Sequence, residues 1–289
     1  MPALLLCLAA ACGGSGGGSG VGKVQVVTTL PLLADLVRNV GGDRVEVTAL
    51  LPSGSDPHTF EPAPRDVQKV EKAQMGFANG LDLEPGALRL LEANLPEGAP
   101  LVKLGDEVAG ETGVNPHLWL DMDKARQYLR LVRENLAKVD PGGDAKYQQN
   151  LEAYQKQLDE TERYVGEKID SIPQANRKLV TTHDAFDYLA RYLGLQVVAF
   201  VARGPGQEPS PEDVANLSRA IKSEGIPAVF VEPQTGAESR VLEQAADDAG
   251  VAVCTLYSDS LDDKVRSYVE LMRFDADELA RCLGGAGGD

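Results

Sequence analysis

The chain has 289 residues, 43% hydrophobic and 25% charged, which is ordinary globular composition for about two domains. With 44 acidic against 28 basic side chains, the formal net charge is −16. That excess excludes a general nucleic-acid binder and a basic patch for anionic membranes, both of which need clustered Lys and Arg.

Residues 3–11 are small and apolar, too short to span a bilayer and suited to the apolar core of a secretory signal. The run ends at Cys12 after three alanines, and small residues before a Cys resemble the lipobox of bacterial lipoproteins. The usual Leu three positions before that Cys is replaced by Ala9. Residues 1–12 are therefore predicted to be a signal with a lipobox and Cys12 a lipidated residue. The alternative is a plain signal peptide cut near this point. Residues 13–22 are rich in Gly and Ser and read as a flexible tether. The stretch from Gly17 to Lys23 matches the opening of a phosphate-binding loop, but Val24 replaces the required Ser or Thr and no strand precedes it.

Beyond the tether, strands alternate with helices, the pattern of parallel α/β sheets. Residues 24–30 read as a buried strand and 32–40 as a helix stopped by Gly41 and Gly42. Strands are predicted at 45–51, 75–78 and 101–104, with a short helix at 66–72. An amphipathic helix is predicted over 123–139. A longer helix follows, from Asp144 to about Asp170, with Tyr147, Leu151, Tyr154, Leu158, Val165 and Ile169 on one stripe. At 1.5 Å per residue it is ~40 Å long, longer than a small lobe is wide. The alternation then resumes, with strands at 179–182, 197–201, 228–231 and 251–256. Helices are predicted at 184–192, 211–224, 238–249 and 265–282. The organisation expected is a first lobe over 23–143, a linking helix over 144–172 and a second lobe over 173–285. No sequence repeat relates the halves. Cys254 and Cys282 are an even pair in an exported protein, so a disulfide is predicted between them; two buried free thiols are the alternative.

The chain has only three histidines, in D-P-H-T-F-E-P (His58), N-P-H-L-W-L-D (His117) and T-T-H-D-A-F (His183). Each lies in a predicted loop or at a strand end, as does Asp259 in L-Y-S-D-S-L. Ligands of open α/β sheets bind beyond the carboxyl ends of the strands. A cleft between two lobes would collect all four side chains. Three imidazoles and one carboxylate make a four-ligand set for a divalent transition metal. Their separations of 59, 66 and 76 residues exclude a zinc finger.

These motifs, in this order, resemble the TroA-like zinc- and manganese-binding proteins that feed bacterial ABC importers. The resemblance runs from about Val24 to Leu283 and includes T-T-L-P-L-L-A-D-L-V-R-N-V-G-G-D and V-F-V-E-P-Q-T. It implies two α/β lobes bridged by one long helix, with His58, His117, His183 and Asp259 as metal ligands in the interlobe cleft. It also implies an ABC permease and its ATPase as partners, and a monomer held outside the cytoplasm by a lipid anchor or in the periplasm. Three features depart from the family pattern: a short segment 106–115 without histidine, Asn115 where Asp is common, and a short segment after Asp259. A third imidazole, His183, favours zinc, with manganese second. Glu61, Asp121 and Asp184 are candidates to orient the ligands, each equally readable as a plain surface acid or a helix cap. Neutral imidazole ligands predict weaker metal binding as pH falls below about 6. Two other readings are a zinc hydrolase, which lacks an H-E-x-x-H or G-x-S-x-G motif here, and a surface adhesin or metal buffer.

Overall fold

The computed structural model describes residues 22–110, 114–202, 204 and 209–284. Cys12 and the Gly/Ser segment lie outside the described residues. Two four-stranded parallel sheets are each flanked by helices. The first contains β1 (Val24–Thr28), β2 (Val45–Ala49), β3 (Met75–Ala78) and β4 (Leu101–Lys103), in the order β2-β1-β3-β4. The second contains β5 (Lys178–His183), β6 (Gln196–Ala202), β7 (Ala228–Val231) and β8 (Ala252–Thr255), in the order β6-β5-β7-β8. In both, the first strand pairs in parallel with the next two, so its end lies at the topological switch point of its sheet.

Helix α1 (Pro31–Gly41) starts on a proline at its first turn, where no intrahelical donor is lost, and is closed by Gly42 at φ 58°. Its stripe of Leu32, Leu33, Leu36, Val37 and Val40 is fully buried against the first sheet. Two further helices, α2 (Val67–Val70) and α3 (Pro85–Asn94), follow β2 and β3. The expected helix over 66–72 is thus shorter, preceded by a 3-10 turn over Pro64–Asp66. Helix α3 was not anticipated, although Pro85 at its N-terminus and Ala87 with Leu91 on its buried side carry the signal. Helix α4 (Leu104–Ala109) was also missed and takes over directly where β4 ends.

Helix α5 (Met122–Val139) is N-capped by Asp121, whose carboxylate accepts from the backbone of Asp123 and Lys124. Helix α6 (Asp144–Asp170) is the long linker. Its buried stripe packs on α1 and α5 at one end and on the last helix, α10 (Tyr268–Leu283), at the other. One continuous apolar core therefore includes residues of both sheets and of the linker. In the second lobe, α7 (Asp187–Leu193), α8 (Pro211–Ser223) and α9 (Gly236–Ala249) complete the alternation. Helix α7 starts three residues later than expected, because Ala185 closes a tight turn onto the carbonyl of His183 at 2.9 Å. Helix α10 starts at Tyr268 rather than Val265, because Ser267 caps it by accepting from the amide of Glu270. Cys254 on β8 and Cys282 near the end of α10 are disulfide-bonded. No helix among the described residues is long and apolar enough to cross a membrane.

Candidate metal centre between the lobes

His183 is the last residue of β5, the strand at the switch point of the second sheet. Asp259 lies four residues beyond β8. His58 sits in the loop after β2, where the Asp56 carboxylate accepts from the His58 amide at 2.9 Å and from the Thr59 hydroxyl at 2.7 Å. That turn is what D-P-H-T encodes: a short acid folds back on the amide two residues on. His117 directly precedes the 3-10 turn Leu118–Leu120 that leads into α5.

These four side chains converge between the lobes, with ligand atoms that all lie within 4.8 Å of one another. His117 Nε2 is 3.0 Å from Asp259 Oδ1 and 3.3 Å from His183 Nε2. Asp259 Oδ2 is 3.5 Å from His183 Nε2 and 3.7 Å from His58 Nε2. A tetrahedral ion with bonds of about 2.05 Å separates its ligand atoms by about 3.3 Å, so the spacing fits a first-row divalent cation. His58 Nε2 and both Asp259 oxygens are buried without a hydrogen-bond partner. Buried polar atoms are normally satisfied, so orphans aimed at one point mark a place for a ligand.

The other ring nitrogens are held from behind. His117 Nδ1 donates to Asn115 Oδ1 at 2.7 Å, and the His117 amide donates to the same oxygen at 3.1 Å. An amide oxygen only accepts, so Nδ1 carries a proton, and Nε2 is the ring nitrogen left to face the cluster. His183 Nδ1 is 2.8 Å from Glu232 Oε1. Glu232, one residue past β7, also accepts from the hydroxyls of Thr182 and Ser258 and from the side-chain amide of Gln234. It thereby ties the His183 strand end to the loop that carries Asp259.

Charge follows geometry. Burial works against a charged Asp259, but the His117 and His183 rings hold its carboxyl well below the usual range. Burial pushes His58 down to about 4, against the pull of Asp259, so its ring is neutral at neutral pH. Burial disfavours a charged His183 as well, but Glu232 and Asp259 outweigh it and hold its pKa well above that of a free imidazole.

The ligand-orienting residues differ from those expected. Glu61 is largely exposed, 3.7 Å from Arg89 Nη2. Asp121 is spent as the cap of α5. Asp184 offers its main-chain carbonyl to Asn115. Asn115 and Glu232 orient the imidazoles instead. Glu232 lies in V-F-V-E-P-Q-T, and its one available signal was an acid directly after a buried strand at a sheet end. Among the described residues, a second grouping of metal-ligand types, Cys254, Glu278 and Cys282, has its sulfurs consumed in the disulfide.

Residues 26–282 match the family described as zinc-uptake complex component A, periplasmic (ZnuA). Among curated proteins, the chain is 30% identical to the metal ABC transporter substrate-binding lipoprotein FimA of Streptococcus parasanguinis, over 97% of this chain and 96% of FimA. It is 29% identical to the manganese-binding lipoprotein MntA of Halalkalibacterium halodurans, again over 97% and 96%. Among solved structures, the periplasmic zinc-binding protein TroA from Treponema pallidum superposes with a TM-score of 0.84 at 29% identity, covering 91% of this chain and 99% of TroA. With the family match spanning both sheets, the linking helix and all four converging side chains, the chain belongs to the ZnuA family of metal-binding components of ABC importers.

Proposed function

We propose that this protein captures a divalent transition metal outside the cytoplasm and hands it to an ABC permease driven by its ATPase, with zinc the preferred cargo and manganese second. His58, His117, His183 and Asp259 are the ligands. The observation that carries this reading is three buried imidazole nitrogens and one anionic carboxylate at tetrahedral spacing, with the carboxylate and His58 otherwise unpartnered. Three imidazoles suit zinc, and carboxylate-richer sites suit manganese. The names of the relatives support both ions, since one is called manganese-binding and another zinc-binding. Asp259 takes the fourth position that a hydrolytic zinc site keeps open for water, which favours capture over catalysis. The lipobox-like Cys12 and the Gly/Ser segment support a lipid tether at the membrane face, and two of the relatives are named lipoproteins.

The test is a metal competition. Stripped protein is offered equal, limiting zinc and manganese, and bound metal is counted by mass spectrometry beside His183→Ala. One zinc per chain, absent in the variant, is expected. One manganese held against zinc would reverse the cargo, and no metal on the wild-type chain would overturn the reading.

A further inference from the structure

The segment from Asn115 to Trp119 is bonded to the second lobe on both sides of His117. Asn115 Nδ2 donates to the carbonyl of Asp184, the residue after His183, at 2.6 Å. Trp119 Nε1 donates to the carbonyl of Ser258, the residue before Asp259, at 2.9 Å. The Tyr268 hydroxyl, from the first turn of α10, donates to the carbonyl of Trp119 at 2.8 Å. Toward its own lobe the segment is held by Asn79, whose side-chain amide donates to the carbonyl of Pro116 at 3.1 Å. Trp119 is fully buried, and its ring stands edge-on to His117 with centroids 5.5 Å apart.

We propose that Trp119 is a positioning residue for metal retention: its indole N–H, gripping the backbone beside Asp259, fixes His117 in register with the ligands of the second lobe and slows release of the ion. The proposal rests on the metal-capture reading above. The physical reason is the division of the ligand set. His58 and His117 come from the first lobe, and His183 and Asp259 from the second, so any lobe rotation changes the ligand spacing directly. A four-coordinate ion tolerates changes of only a few tenths of an ångström before a bond is lost. The Trp119 bond to Ser258 lengthens as the lobes part, so it must break before His117 can leave the ion; the Tyr268 hydroxyl, on a residue whose amide also donates to Asp35 of α1 at 2.9 Å, holds the backbone that carries the indole. Neither donor touches the ion. They act on the spacing of the ligands and not on their number.

The test uses the full-length chain and two substitutions that remove one donor each: Tyr268→Phe, which keeps the ring, and Trp119→Phe, which keeps an aromatic ring but also trims the buried indole. Tyr147→Phe is the control, since it removes a hydroxyl bonded to Asp140 away from the cleft. Zinc release is timed by trapping with excess chelator, and the site is read through the visible absorption of bound cobalt(II). Both test variants are expected to bind one metal per chain, with association within about two-fold of wild type and release about five-fold faster, the loss of one ordinary hydrogen bond. Their cobalt bands are expected to weaken or shift, while Tyr147→Phe changes neither band nor release rate. Wild-type release rates and cobalt spectra in both test variants would overturn the proposal. So would equal acceleration in the control, which would make the effect one of general stability. If one test variant does not fold, the other decides. A wild-type chain that binds no metal would instead overturn the metal-capture reading itself.

Discussion

The first and second lobes use the same strand order, and their central strands end alike, in Thr28-Thr29-Leu30 and Thr181-Thr182-His183. In each, the first threonine hydroxyl donates to the carbonyl two residues on, at 3.0 and 2.9 Å. In each, the second threonine hydroxyl donates to a buried glutamate, Glu84 in the first lobe and Glu232 in the second. The third residue separates them. Leu30 is fully buried in the core, whereas His183 faces the cleft and engages Glu232 through its other ring nitrogen. Glu84 instead serves the main chain, accepting from the amide of Asn79 at 2.6 Å, with its second oxygen unpartnered. The loop that delivers Glu84 passes through two left-handed non-glycine residues, Leu81 and Asp82, while Glu232 follows β7 directly. One strand-end design thus closes a loop in the first lobe and orients a cleft imidazole in the second.

The comparison is tested most severely by giving the second lobe the residue of the first. His183→Leu is expected to abolish stoichiometric zinc binding, measured by calorimetry on stripped protein. Retention of one tightly held zinc would show that the strand-end histidine is not what distinguishes the lobes.

The disulfide ties two elements of the second lobe, closing the 28-residue separation between β8 and α10. Loop-closure entropy puts its loss at about 3–4 kcal/mol. Denaturant unfolding of Cys254→Ser with Cys282→Ser is expected to show that loss. If unfolding is three-state, the loss should fall on the transition of the second lobe.

Glu84 gives the first lobe a pH signature. Burial, partly offset by bonds from Thr29, Asn79 and Gly80, pushes its pKa up from 4.5 to about 7. Between those values the unfolded chain sheds this proton and the folded chain keeps it, so stability is highest below the window and falls as pH rises through it. The swing amounts to about 3 kcal/mol. Glu84→Gln is expected to flatten the stability profile of the metal-free protein between pH 5 and 8 while leaving zinc affinity unchanged. An unchanged slope would mean that Glu84 is not the group responsible.

The smallest effect is expected at the matching acid. Glu232→Gln keeps an oxygen for His183 but loses the charge behind the ring, so zinc affinity should drop about ten-fold. Equal losses of affinity from Glu84→Gln and Glu232→Gln would erase the distinction between the two acids.

Much of this architecture is legible residue by residue. The buried strands, the stop at Gly41 and Gly42, and the stripe of the long helix follow from periodicities of two and 3.6 and from glycine and proline punctuation. Helix α3 escaped because it is short and its apolar residues are spread around it, with Leu88 and Leu90 only partly buried beside Ala87 and Leu91, so its pattern is weak beside that of α5. The helix starts at Asp187 and Tyr268 were misplaced because a tight turn and a serine cap decide them.

By itself the sequence determined the alternation of elements, the length of the linker and the scarcity of histidine that made its three candidate imidazoles conspicuous. Only the tertiary structure decided that Glu232, and not Glu61 or Asp121, stands behind an imidazole, whereas Asn115 reaches His117 from two residues away in the same loop. It alone paired Thr29 with Glu84 and Thr182 with Glu232, a likeness between lobes that no sequence repeat displays. The reason is range. Backbone periodicity and capping are local and are read within a turn or two. Hydrogen bonds spanning 49 to 55 residues depend on how two sheets stack their strand ends, which local spacing does not encode.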